Sequence, residues 1–117
     1  MITGIIYAII DDGYFYIGST IQSLERRLES HISSCKSAKN NSSIKSKLYK
    51  HINKVREGSW DDIIMIPLEI IECETRHELH NKELETISQF KDDPMLLNII
   101  TDKRKRYFIT KRYFNNK

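Results

Sequence analysis

Glu83 occupies an unusual place in the chain. Leu79, Ile87 and Phe90 recur around it at helical spacing, so a carboxylate sits where a 3.6-residue period calls for a core side chain. An unpaired buried carboxylate is costly, and such a group is neutralised, paired with a cation or bound to a metal. One carboxylate plus water makes an ordinary Mg²⁺ site once a phosphate supplies further oxygens. The plainer alternative puts Glu83 at the edge of the stripe, in a salt bridge with a Lys or Arg. Arg27 and His31 stand four residues apart. On a helix they address one phosphate, Arg as a permanent bidentate cation and His as acid, base or donor near neutral pH. An exposed Arg and a His flanking a core helix would look the same. Tyr7 and Tyr16 are phenols suited to hydrogen-bonding a water or a phosphate oxygen, or to serving as plain sheet aromatics.

These residues need elements to position them. Ile5–Ile10 and Tyr14–Ser19 are β-branched and aromatic runs around Asp11-Asp12-Gly13, the pattern of a β-hairpin. With a loop of two or four residues, Tyr7 and Tyr16 share one face, and Ile6, Ala8, Phe15 and Ile17 form the apolar opposite face. A three-residue loop would separate the tyrosines. A helix capped by Ser23 aligns Leu24, Leu28, Ile32 and Cys35, with Arg27 and His31 beside that stripe. A second helix follows the polar Asn40–Ser43 stretch, with Ile44, Leu48, Ile52 and Val55 inward and Lys45, Lys47, Lys50 and Lys54 outward, ending near Gly58. Ile63–Cys73 reads as a third strand that Pro67 interrupts or confines to an edge. Thr75 and Glu78 have capping-box spacing and open a third helix that ends before Asp92-Asp93-Pro94.

With 117 residues, 39% hydrophobic and 30% charged, the chain suits one domain with a core. The net charge of +3 conceals its distribution. Residues 103–117 hold seven basic side chains and no acidic one, against 12 basic and 16 acidic in residues 1–102. Residues 24–58 are mainly basic and 59–102 mainly acidic. Basic surfaces attract phosphate backbones, so nucleic acid is the expected partner, with an anionic membrane second and a merely solvated face the bland alternative. The fold unit is expected over 1–102. The basic extension 103–117 interleaves Tyr107, Phe108, Ile109, Tyr113 and Phe114, so it is expected to pack on the domain or contact DNA. Cys35 and Cys73 match no zinc or disulfide pattern and read as buried thiols. The apolar Met1–Ile10 stretch lacks a basic leader and cleavage site and is too short to span a bilayer, so an intracellular protein is expected.

Taken in order, Ile5-Ile6-Tyr7, Tyr16-Ile17-Gly18, Ser19-Thr20, Leu24, Arg27, His31 and Glu83 resemble the GIY-YIG nuclease family over about residues 3–100. The resemblance implies an α+β fold, a three-stranded antiparallel sheet flanked by helices, and a site of two tyrosines, an arginine, a histidine or tyrosine, and a metal-binding glutamate. On that likeness the catalytic set is Tyr7, Tyr16, Arg27, His31 and Glu83, with Glu83 the ligand for Mg²⁺ or Mn²⁺. Gly18 and Asn98 would support the site. Ile5 replaces the glycine of the first triplet. The second histidine of some relatives is missing, Asn40-Asn41-Ser42 standing in its place, with His51 a half-buried structural histidine or a substitute. The implied activity is metal-dependent hydrolysis of DNA phosphodiesters, RNA being open as substrate. An inactive nucleic-acid-binding module of the same fold is the alternative, and a protein-interaction domain a more distant one. In this reading the metal binds a nonbridging oxygen and stabilises the leaving oxygen, Tyr7 deprotonates water with His31 as relay, Tyr16 positions the water or phosphate, and Arg27 holds charge. Lys45, Lys47, Lys50, Lys54, Arg104 and Arg106 are expected on the DNA backbone. A dimer is compatible with the sequence, which leaves target and oligomeric state open.

Overall fold

The computed structural model describes residues 1–39 and 46–99. In chain order the elements are β1 (Ile2–Asp11), β2 (Tyr14–Thr20), α1 (Leu24–Ala38), α2 (Lys47–Val55), β3 (Ile64–Cys73) and α3 (Arg76–Ser88). The strands form one open antiparallel sheet in the order β2-β1-β3, the α+β arrangement expected from the sequence. Among the described residues no helix is long and apolar enough to cross a membrane.

The hairpin turns through Asp12-Gly13, because Asp11 pairs with Tyr14. Both turn residues have positive φ (51° and 86°), as a two-residue turn matched to strand twist requires. This register pairs Tyr7 with Gly18 and Ile9 with Tyr16, so the two tyrosines lie diagonally on one face. Ile6, Ile17 and the half-buried Phe15 pack on the other face with Leu79 and Ile87 of α3. Tyr7, Ile9 and Tyr16 pack with Cys35 of α1 and Leu48 and Ile52 of α2. The sheet is thus covered on both faces, α3 on one and α1 with α2 on the other.

β3 is an edge strand, a position that suits Pro67. The register slips between Ile6, opposite Glu69, and Tyr7, opposite Pro67, so Leu68 is the extra residue of a bulge. The missing N–H and the bulge blunt an edge whose Ile64, Leu68 and Ile70 are exposed, two devices that discourage strand addition.

The helices begin where the caps place them. Ser23, Ser46 and Thr75 accept N–H bonds from Arg26, Tyr49 and Glu78, each satisfying a first-turn donor. Glu78 reaches back to the N–H of Glu74 at 3.0 Å, one residue earlier than a capping box would have it. Two expected stripes need correction. Val55 is 66% exposed, because α2 ends there and only Leu48 and Ile52 meet the sheet. Phe90 lies beyond α3 and is partly exposed, its ring edge-on to Phe15. Ile44 and Lys45, with the rest of 40–45, lie outside the described residues, as does everything from 100 onward, including Arg104 and Arg106.

Candidate active site

Tyr7 is the centre of the arrangement. It is completely buried, and its ring lies over Gly18 so closely that a Cβ there would come 2.5 Å from the phenol oxygen. The hydroxyl meets His31 Nε2 at 2.7 Å and accepts from Arg27 Nε at 3.1 Å. His31 Nδ1 lies 3.0 Å from the Tyr49 hydroxyl. Because Arg27 can only donate, Tyr7 directs its own proton toward Nε2. His31 then carries its proton on Nδ1 and donates it to Tyr49, a tautomer inferred from the network.

His31 corrects the sequence reading. It was expected beside the apolar stripe of α1 but is 2% exposed, enclosed by rings of Tyr7, Tyr16, Tyr49 and Trp60. Burial, reinforced by the Arg27 charge, lowers its pKa to about 4, so the imidazole is neutral at physiological pH. Burial also raises the Tyr7 pKa despite the hydrogen bond and charge of Arg27, and raises that of Tyr16. Both phenols stay protonated at rest. Partial burial opposes the Arg27 charge, but the hydrogen bond to Tyr7 and the neighbouring phenols of Tyr7, Tyr16 and Tyr49 together raise its pKa, so Arg27 keeps its charge, and it forms no ion pair among the described residues.

Glu83 arrives from the other layer. Leu79, Leu84 and Ile87 are the buried residues of α3, and the Glu83 side chain, 17% exposed, lies at the margin of that stripe. Its Oε1 accepts the Ser19 hydroxyl at 2.6 Å. Its Oε2 stands 4.0 Å from Nδ1 of the half-exposed His80. The salt bridge to Lys or Arg that the plainer reading required is absent among the described residues. Ser19 follows Gly18 on β2, so the edge of β2 carries Glu83 on one face and the Tyr7–Arg27–His31 chain on the other. The Glu83 charge acts on both tyrosines.

Asn98 supports this edge. Its side-chain carbonyl accepts the Ile17 N–H at 2.8 Å and its amide donates to the Ile17 carbonyl at 2.7 Å. Together with Phe15 N–H to Met95 and Leu97 N–H to Phe15, these bonds line the free side of β2 with a short parallel segment. His51 is structural: its Nε2 pairs with Asp11 at 2.7 Å, and Arg56 holds the other Asp11 oxygen at 2.8 Å. Ile5, in the glycine position of the first triplet, is half-buried against Thr20 and Ile70 and leaves Tyr7 in place.

Lys47, Lys50 and Lys54 are exposed on α2. Ser19, Tyr49 and Trp60 are members that residue-by-residue reading did not single out. Ser19 lay inside the Gly18-Ser19-Thr20 signature, the one signal available for it.

No curated protein and no solved structure matches the chain. The family model of the GIY-YIG catalytic domain matches residues 3–98, a span that begins at β1 and ends on Asn98. With that match over most of its length, the chain belongs to the GIY-YIG family of nuclease domains.

Proposed function

We propose that this domain is a DNA endonuclease that hydrolyses phosphodiester bonds with the help of one divalent cation, Mg²⁺ or Mn²⁺. The observation that carries the reading is the Arg27–Tyr7–His31 hydrogen-bond chain on the opposite face of β2 from a carboxylate that no Lys or Arg pairs with among the described residues. The donor set fits such a cation. Among the described residues there is no cluster of three or more His, Cys, Asp or Glu, so Glu83 offers a single carboxylate, oriented by Ser19. A hard, hydrated cation that completes its shell with water and phosphate suits that site better than a metal needing several nitrogen or sulfur ligands. When bound, the cation supplies Lewis-acid stabilisation of charge on the phosphate and the leaving oxygen.

The protein's own groups supply the proton transfer. Burial makes the Tyr7 phenol a poor anion, so a free phenolate is not the base. Tyr7 instead takes a proton from the attacking water while passing its own to His31 Nε2. The Arg27 charge is one cause of the low His31 pKa. A phosphodiester anion seated on Arg27 offsets that charge and makes His31 a better acceptor when substrate is present. Arg27 holds the developing negative charge, and Tyr16, edge-on to His31, orients the water or the phosphate.

Nicking of supercoiled plasmid with added Mg²⁺ tests the reading, circular dichroism checking that each variant is folded. Arg27→Ala and Glu83→Ala should each lower the rate by roughly 10²-fold or more. Full activity in Glu83→Ala overturns the metal assignment. Wild type that binds DNA but cuts neither DNA nor RNA with any divalent cation identifies an inactive binding module.

A further inference from the structure

Beside Arg27 lies a cavity of about 310 Å³. Residues Ser19–Gln22, where the chain leaves β2, form one wall, and Arg76 and Leu79 of the first turn of α3 form the other. Its chemistry is mixed. Arg76 is exposed and, like Arg27, forms no ion pair among the described residues. Glu78, the nearest carboxylate along α3, is directed to the N–H of Glu74. Leu79 is 4% exposed and gives an apolar floor, while Ile21 is 41% exposed at the rim. Two guanidiniums with no ion pair among the described residues select a phosphate-bearing ligand, and the Glu83 carboxylate behind Ser19 is turned to the serine hydroxyl. The volume, within the range of small-molecule sites at roughly 300–1,000 Å³, and the apolar floor exceed what a lone phosphate needs.

We propose that this cavity seats the nucleotide next to the scissile phosphate. Arg76 holds that nucleotide's own phosphate, and its sugar and base rest on Leu79 and Ile21. Arg76 is thus a binding residue that fixes how the strand runs past Arg27. The assignment rests on the nuclease reading for the identity of the phosphate on Arg27, whereas the cavity's preference for a nucleotide does not. Arg76 caps nothing and is exposed, so its removal leaves the fold intact.

The test uses thymidine bisphosphate as probe, in metal-free buffer, followed by backbone amide NMR. Shifts should saturate at Thr20–Gln22 and Leu79. Arg76→Ala should weaken the affinity about tenfold, as expected for one charge-assisted hydrogen bond, and Arg76→Lys should recover part of it. In plasmid cleavage, Arg76→Ala should raise KM more than it lowers kcat. Three results overturn the proposal: shifts elsewhere on the domain, unchanged affinity in Arg76→Ala, or inorganic phosphate binding as tightly as the bisphosphate. The two readings fail separately. Probe binding here by a protein that cuts no nucleic acid sinks the nuclease reading alone, and cleavage with unaltered Arg76→Ala affinity and KM sinks the cavity alone.

Discussion

A neutral histidine among four aromatic rings makes stability depend on pH in a direction that can be stated in advance. The folded pKa of His31, about 4, lies below the unfolded value near 6.5. Between these values the unfolded chain binds a proton that the folded chain refuses, so stability is full above about pH 6.5 and falls as pH drops toward about 4. The shift corresponds to a loss on the order of 3 kcal/mol from this one group. Chemical denaturation between pH 4 and 7 should show the decline in wild type and a shallower one in His31→Gln, whose side chain does not titrate. An equal slope in both would refute the assignment. Arg27 and His31 were legible at this scale because charge and spacing mark them. Ser19 and Tyr49 were not, since a serine on a strand and a tyrosine on a helix become partners only when distant elements meet.

At the scale of the elements, the pairing of Tyr7 with Gly18 shows how register and side-chain size act together. The two strands bring the phenol directly over Gly18, and hydrogen bonds to Arg27 and His31 hold it there. Gly18→Ala therefore forces Tyr7 out of its bonds. We expect it to cost about 1–3 kcal/mol by overpacking and to lower cleavage by on the order of 10²-fold through misplacement of the phenol. A thermal melt with a plasmid assay checks both. The hairpin, the caps at Ser23 and Thr75 and the edge position of β3 were readable from local chemistry: positive-φ turn residues, Ser and Thr oxygens at helix starts, and a proline with no N–H to donate. The inward faces were less so. Periodicity placed Val55 and Phe90 in the core, but each sits at or beyond a helix end, and a helix buries only the turns that lie over the sheet.

For the whole molecule, the proposed function depends on two layers meeting at the edge of β2. The cluster of Tyr7, His31 and Arg27 belongs to the layer of α1 and α2, and Glu83 to the layer of α3, while Asn98 secures the strand between them. The exposed lysines of α2 and the basic extension 103–117 are, in our reading, bound to the DNA backbone, where they position without specifying. Deleting 103–117 should weaken DNA affinity and flatten its salt dependence, by about 0.9 in the logarithmic slope for each phosphate that the shortened chain leaves unneutralised. Fluorescence anisotropy across a salt series measures this, and an unchanged slope refutes the role of the extension. The order of types along the chain determined the hairpin, the starts of the first and third helices and the family, because turn chemistry, capping and hydrophobic period are local. Only the tertiary structure decided that His31 is buried and neutral, that Glu83 is held by Ser19 without an arginine or lysine partner among the described residues, and that Arg76 faces the same cavity as Arg27. Burial and the pairing of distant charges arise from packing between elements, which spacing along a chain does not encode.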